Sequence, residues 1–156
     1  MNLSQQTAKQ FREVFTGGNW TSVNLKETLT GVDWQQATTT VHSFNTIAAL
    51  VYHIHYYVQA VLNVLNGNPL EASDKFSFDV PAIHNQEDWD KLVATTLADA
   101  ERFVALVEQL PERRFTAIFV DEKYGNYHRN IYGIIEHTHY HLGQIVLIKK
   151  ILLQGK

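Results

Sequence analysis

The sequence predicts an all-α protein, a four-helix bundle, and three observations carry that prediction. Four long stretches repeat apolar residues at helical spacing, i, i+3, i+4 and i+7. The first three of them stop at glycine or proline, at Gly17-Gly18, at Gly67 with Pro69 beyond, and at Pro111. No Asn-Gly or Asp-Gly turn stands between alternating strand-like runs, which is the strongest short-range sign of a β-hairpin. Amphipathic helices of this length pack most simply as an antiparallel bundle. At 156 residues the chain has the size of one domain and buries enough surface without staples, so residues 1–156 are read as a single helical-bundle domain.

The first helix is expected from Leu3 to Phe15, ended by the glycine pair. Between Trp20 and Val41 the chain is richer in threonine and other polar residues, with a short extra helix expected around Val23 to Leu29 and closed by Gly31. The second long helix is expected after Ser43 as N-cap and continues through Ile47, Leu50, Val51, Ile54, Val58, Val61, Leu62 and Leu65. Its apolar residues cover more than one face, so it belongs deep in the bundle. A long loop follows, Leu70 to His84, containing KFSFDVP; it reads as an ordered surface segment, with a short strand as the weaker alternative because Phe76 and Phe78 alternate with polar residues.

The third helix is expected to start at Asn85, which with Asp88 three residues on resembles a capping box, and to repeat Trp89, Leu92, Val93, Leu97, Ala100, Phe103, Val104, Val107 and Leu110. Pro111 ends it. A connection from Arg113 to Asn126 leads to the fourth helix, roughly Tyr127 to Leu153. No internal repeat or low-complexity tract is visible.

Composition removes several classes of function. With Cys 0 there is no disulfide, thiolate metal site, iron–sulfur cluster or cysteine nucleophile. The formal net charge is -3 and the basic residues are scattered, which offers no phosphate-binding stripe and predicts no nucleic-acid partner. The N-terminal MNLSQQTAKQFREVF lacks the apolar core of a signal peptide, and no stretch approaches the roughly 18 apolar residues of a membrane span. A cytoplasmic protein without membrane association is the expectation.

The count of His 8 draws attention to HTHYHLGQ, residues His137 to Gln144, inside the fourth helix. Residues four apart stand on one helical face about 6 Å from each other, so His137 and His141 are partners while His139 points away. Two imidazoles one turn apart form half of a divalent-metal site. A facing helix must supply a third ligand, and YHIHYY in the second long helix offers His53 or His55. Periodicity does not choose between them, because apolar residues flank both. Gln144 follows His141 by three residues and can hydrogen-bond an imidazole to orient it.

Other metal and nucleophile motifs fail on inspection. A zincin requires Glu directly after the first histidine, where Thr138 stands. A di-iron carboxylate bundle requires Glu-x-x-His twice, and Glu136 with His139 supplies it once. No nucleophile elbow supports a Ser-His-Asp triad.

Three stretches resemble the DinB/YfiT-like superfamily of metal-dependent enzymes: ALVYHIHYYVQAVLNVLNG from Ala49 to Gly67, DKFSFDVP followed by EDW, and above all IIEHTHYHLGQIVLIKK from Ile134 to Lys150. The family's last helix reads His, three residues, His, a spacer, Gly and Gln, as HTHYHLGQ does. Its second-helix histidine maps onto His53. The likeness spans nearly the whole chain. It implies up-down-down-up connectivity and a homodimer. It also implies a metal site of His53, His137 and His141 that holds nickel or zinc with open positions for water. Characterised relatives include thiol S-transferases and a thiol-dependent isomerase, so the resemblance also implies a small-molecule substrate and a low-molecular-weight thiol as co-substrate.

The expected function is therefore a metal-dependent transferase or hydrolase. The alternative is a non-catalytic, stress-associated dimeric bundle that holds a structural metal. No general base is selected by spacing: Asp74, Asp79 and Glu87 all lie in or beside the loop expected to cover the site. His42, His84 and His128 are assigned ordinary surface roles, and the tyrosines Tyr52, Tyr56, Tyr57, Tyr132 and Tyr140 are assigned to packing.

Overall fold

The structure is a computed structural model and describes residues 1–154. Six α-helices are present among them: α1 Leu3–Phe15, α2 Leu25–Leu29, α3 Trp34–Thr38, α4 Ile47–Leu65, α5 Gln86–Gln109 and α6 Tyr127–Gln154. No β-strand occurs among the described residues beyond an isolated antiparallel bridge between Ile118 and Asn126. None of the described helices is long and apolar enough to cross a membrane.

The four long helices pack in a ring of neighbours, α1 on α5, α5 on α4, α4 on α6, and α6 back on α1. The sequence dictates this through the apolar stripes it gives each helix. Phe11 and Phe15 of α1 stack on each other at 4.7 Å, and Phe11 stacks on Phe103 of α5 at 4.1 Å, with all three rings buried. Each such ring removed from water contributes on the order of 2–3 kcal/mol. Helix α4 is the most apolar: Ile47, Leu50, Val51, Ile54 and Val58 are all buried, which agrees with its expected place deep in the bundle. The core continues into α6 through Ile131, Leu142, Ile145 and Ile148.

Several helix starts differ from the sequence reading, for reasons of capping. The N-cap of α4 is Thr46, whose side chain accepts from Ala49 N–H at 3.1 Å, and not Ser43, which lies in a turn closed by Phe44 N–H to Val41 C=O. The region before α4 holds two short helices where one was expected. Asn24 caps α2, and Asp33 caps α3 in a full capping box with Gln36. At α5 Asn85 is the cap as expected, but Asp88 does not return the bond to it. Its carboxylate accepts instead from His84 N–H at 2.9 Å.

The tight ends of this segment rest on glycine. Gly31 and Gly67 take φ of +75° and +86°, a region open to glycine without steric penalty. Trp89 then ties α5 to the α2–α3 connection, burying its indole and donating Nε1–H to Val32 C=O at 2.9 Å. Lys149 of α6 donates to the C=O groups of Thr28 and Thr30, at 2.7 and 2.8 Å, at the end of α2. The loop after α4 forms one 3₁₀ turn, Asp74–Phe76, and no strand.

Candidate metal centre

His53 on α4 and His137 and His141 on α6 meet in the space between those two helices. Nε2 of His137 lies 3.0 Å from Nε2 of His53 and 3.1 Å from Nε2 of His141. One ligating nitrogen from each of the three falls within 4.8 Å of the others. His53 and His141 are buried, at 7 % and 8 % exposure, and His137 is half-buried. Among the described residues no fourth His, Asp or Glu joins the cluster.

The outer nitrogens show how the rings are held. Nδ1 of His53 lies 3.2 Å from the C=O of Ser77, and Nδ1 of His141 lies 2.7 Å from Oε1 of Gln144. Both partners are acceptors, so each Nδ1 carries the hydrogen and donates it, which leaves Nε2 of both rings as a bare lone pair. Those two lone pairs face His137, whose single Nε2 can offer a proton to only one of them. Three imidazole nitrogens so close together, at least two of them unprotonated, repel unless a cation sits among them, and neutral imidazole is the form that ligates metals. The residues present therefore fit a divalent ion. Nδ1 of His137 is buried with no hydrogen-bond partner.

Burial favours the neutral form of all three rings. Burial lowers the pKa of His137, helped by the neighbouring charges of His141 and His53, to about 4 from the ordinary 6.5. Burial also lowers His53 and His141, against the opposing bonds from Ser77 and Gln144 respectively.

The loop after α4 supplies more of this site than its sequence suggested. Besides Ser77, Phe78 stacks flat on the His53 ring at 3.9 Å, and Asp74 accepts a short hydrogen bond from the Tyr57 hydroxyl. Tyr57 stands edge-on to His53 at 5.1 Å and to His137 at 4.9 Å. Its phenol is pushed up to about 12 by burial and by the Asp74 hydrogen bond and charge, so it stays protonated. Tyr57 thus does more than the packing its sequence position suggests. The available signal was its position four residues after His53, on the same helical face. Ser77 acts through its backbone, which no side-chain pattern reports.

The other candidates lie elsewhere. His55 is buried on another face of α4, where Nε2 sits 2.8 Å from Asp99 of α5, and Gln59 and Arg102 also bond that carboxylate. His139 is half-buried, with its pKa lowered by burial, and is not in the cluster. Asp79 and Glu87 are exposed, as are His42, His84 and His128. Of the three acids considered as a base, only Asp74 reaches the vicinity of the histidines, through Tyr57.

A cleft of about 840 Å³ opens beside His137 and is lined at that end by Tyr57, Asp74, Glu136 and Tyr140. Fold and site together define an all-helical protein whose grouped histidines are compatible with metal binding. The profile of the DinB superfamily matches residues 19–145, and the chain belongs to that superfamily. No curated protein and no solved structure gives a significant match to it.

Proposed function

We propose that this protein is a metal-dependent enzyme of the thiol S-transferase or hydrolase type, with His53, His137 and His141 as the metal ligands. The observation that carries the reading is the convergence of three Nε2 atoms, with spacings of 3.0 and 3.1 Å about His137, while two of the rings are fixed from behind by Ser77 and Gln144. A bound nickel or zinc ion would supply Lewis acidity, lowering the pKa of a bound water from about 15.7 towards about 7 or accepting a thiolate. The chain's own residues do the rest. Ser77 and Gln144 orient the imidazoles, Phe78 shields one face of His53, and the cleft admits a small molecule to the His137 side. A three-ligand set beside an open cleft is the arrangement of a catalytic site, whereas structural zinc sites are closed by four protein ligands.

The finer features implied by the family belong to the same reading: a single domain with helices running up-down-down-up, a low-molecular-weight thiol as co-substrate, and a homodimer. The exposed Phe44 and Leu147, which line one surface cavity, are the apolar surface available for that dimer contact.

The test is metal analysis of untagged protein by inductively coupled plasma mass spectrometry, for wild type, His53→Ala, His137→Ala and His55→Ala. Near-stoichiometric metal in wild type and His55→Ala, lost in the other two, is the expected pattern and justifies a screen of thiol acceptors and hydrolysable esters and amides. Wild-type protein that takes up no metal after reconstitution would overturn the reading.

A further inference from the structure

The cleft beside His137 is chemically polarised along its length. Its acidic groups, Asp74 and Glu136, line it together with Tyr57 and His137, and its basic groups, Lys123 and Arg129, come from the connection before α6 and the first turn of that helix. Asp74 is engaged by the Tyr57 hydroxyl. Lys123 and Arg129 are exposed, and among the described residues neither forms an ion pair. Lys123 has its ammonium 4.8 Å over the Tyr124 ring. Asp121 and Glu122 adjoin it in sequence but do not line the cleft.

Between the two ends the wall is apolar, with Val61, Leu70, Phe119 and Ile134. Gly133 lies in this stretch, inside α6, and a Cβ built there meets nothing within 4 Å. Glycine in a helix interior is unfavourable, and here it leaves the cleft wall bare. The volume of about 840 Å³ is in the range of small-molecule sites.

We propose that the cleft binds a small organic anion, a carboxylate or a phosphate monoester on an apolar chain, with its anionic end on Lys123 and Arg129 and its other end at His137. The orientation towards His137 as a reacting centre rests on the metal-dependent reading above, whereas the anion subsite does not. Arg129 and His137 are eight residues apart on one helix, so their backbones are separated by about 12 Å along its axis. An anion of that reach spans from the basic end to the histidines with its apolar part on Val61, Phe119 and Ile134. The acidic groups beside His137 disfavour the reverse orientation.

The experiment uses octanoate, octyl phosphate and neutral octanamide as probes, followed by amide chemical shifts of the full chain. The proteins are wild type, the double variant Lys123→Met/Arg129→Met, Gly133→Leu and His137→Ala. Octanoate or octyl phosphate is expected to bind wild type about tenfold or more tighter than octanamide, the scale of a charge-assisted hydrogen bond. The tighter of the two anions identifies the head group. The preference should vanish in the double methionine variant, whose side chains were exposed and keep their apolar stems, and should persist in His137→Ala. Gly133→Leu should weaken all three probes by filling the cleft.

Equal binding of anions and amide by wild type, or a preference that survives the double variant, overturns the proposal. A preference lost in His137→Ala and kept in the double variant overturns it too, because the head group then sits at the histidines, while the metal reading stands. A preference lost only in the double variant, in protein that takes up no metal, supports the anion subsite and removes the metal reading.

Discussion

Nδ1 of His141 donates to Oε1 of Gln144 at 2.7 Å, one turn further along α6, and this contact fixes which nitrogen of His141 faces His53 and His137. The sequence placed Gln144 within reach of His141, and the geometry gives the contact a tautomeric consequence. Gln144→Ala removes the acceptor without touching the core, since the side chain is only half-buried. Loss of such an orienting partner weakens metal affinity by roughly 10–100-fold. Competition with a chromophoric chelator measures this, and unchanged affinity in Gln144→Ala would remove the orienting role.

A second prediction separates the two histidines of YHIHYY. His55 and Asp99 are buried at 7 % and 4 % exposure and bonded at 2.8 Å. Burial raises the Asp99 pKa, but the bonds from His55 and Gln59 and the charges of His55 and Arg102 outweigh it and hold the carboxyl below its ordinary value. His55→Ala leaves that carboxylate with Gln59 and Arg102 alone and opens a cavity, so a loss of about 3 kcal/mol in unfolding free energy is expected. Metal content should be unaffected. Urea denaturation and metal analysis of the same sample check both halves, and His55→Ala protein that is stable but metal-free would reverse the assignment.

That pair also shows how much of the molecule was legible in the sequence. The four long helices were readable because Phe11, Ile54, Phe103 and Ile145 fall on helical stripes. So was the pairing of His137 with His141, which follows from a four-residue spacing alone. The sequence left His53 and His55 open because both are flanked by apolar residues. Both are indeed buried; what differs is the partner each meets, and Asp99 lies 44 positions from His55. The loop KFSFDVP is expected to lie over the site, but the contacts of Ser77 and Phe78 with His53 are not legible for a related reason: a loop's contribution through a backbone carbonyl or a stacked ring depends on where the loop lands. Helix α3 was missed although its Asp33 and Gln36 carry a capping-box pattern, because five residues are too few for an apolar period to show.

The lowered histidine values give a pH dependence of stability in the metal-free protein. In the unfolded chain His137 takes up a proton near pH 6.5, and in the folded protein only near pH 4. The unfolded state therefore holds more protons in that window, and stability must rise with pH through it. The contribution is fully present above pH 6.5 and is lost as pH falls towards 4, with His53 and His141 adding in the same direction. Thermal melts of chelator-treated protein should show Tm falling across this range, and His137→Gln should flatten the slope. A variant with an undiminished slope would place the titrating groups elsewhere.

Phe78 covers one face of His53 with the rings 3.9 Å apart and nearly parallel, yet 40 % of Phe78 is exposed. Its removal should change access to the site more than it changes stability. Phe78→Ala is expected to accelerate metal release to excess chelator severalfold while shifting Tm by little, because the ring contributes only part of a buried aromatic's stabilisation. Stopped-flow chelation compares the two proteins, and identical release rates would show that the loop does not shield the centre.

Gly133 offers the clearest opposition between stability and the proposed cleft. It lies inside α6 and its absent Cβ would touch nothing within 4 Å, so alanine fits there without displacing a neighbour. Replacing an unstrained helix-interior glycine by alanine stabilises by roughly 0.5–1 kcal/mol, which for a chain of this size raises Tm by about 1–4 °C. Gly133 lines the cleft four residues from both Arg129 and His137, so on the anion proposal a side chain added there narrows the path that a bound anion must follow. Gly133→Ala should therefore melt higher than wild type and bind octanoate more weakly, and Gly133→Leu should extend the second effect. Calorimetry of the free protein measures the first quantity and probe titration the second. A rise in Tm with unchanged binding would mean that the glycine does not serve the cleft; a fall in Tm would mean that α6 needs the bare backbone there for a reason other than open space.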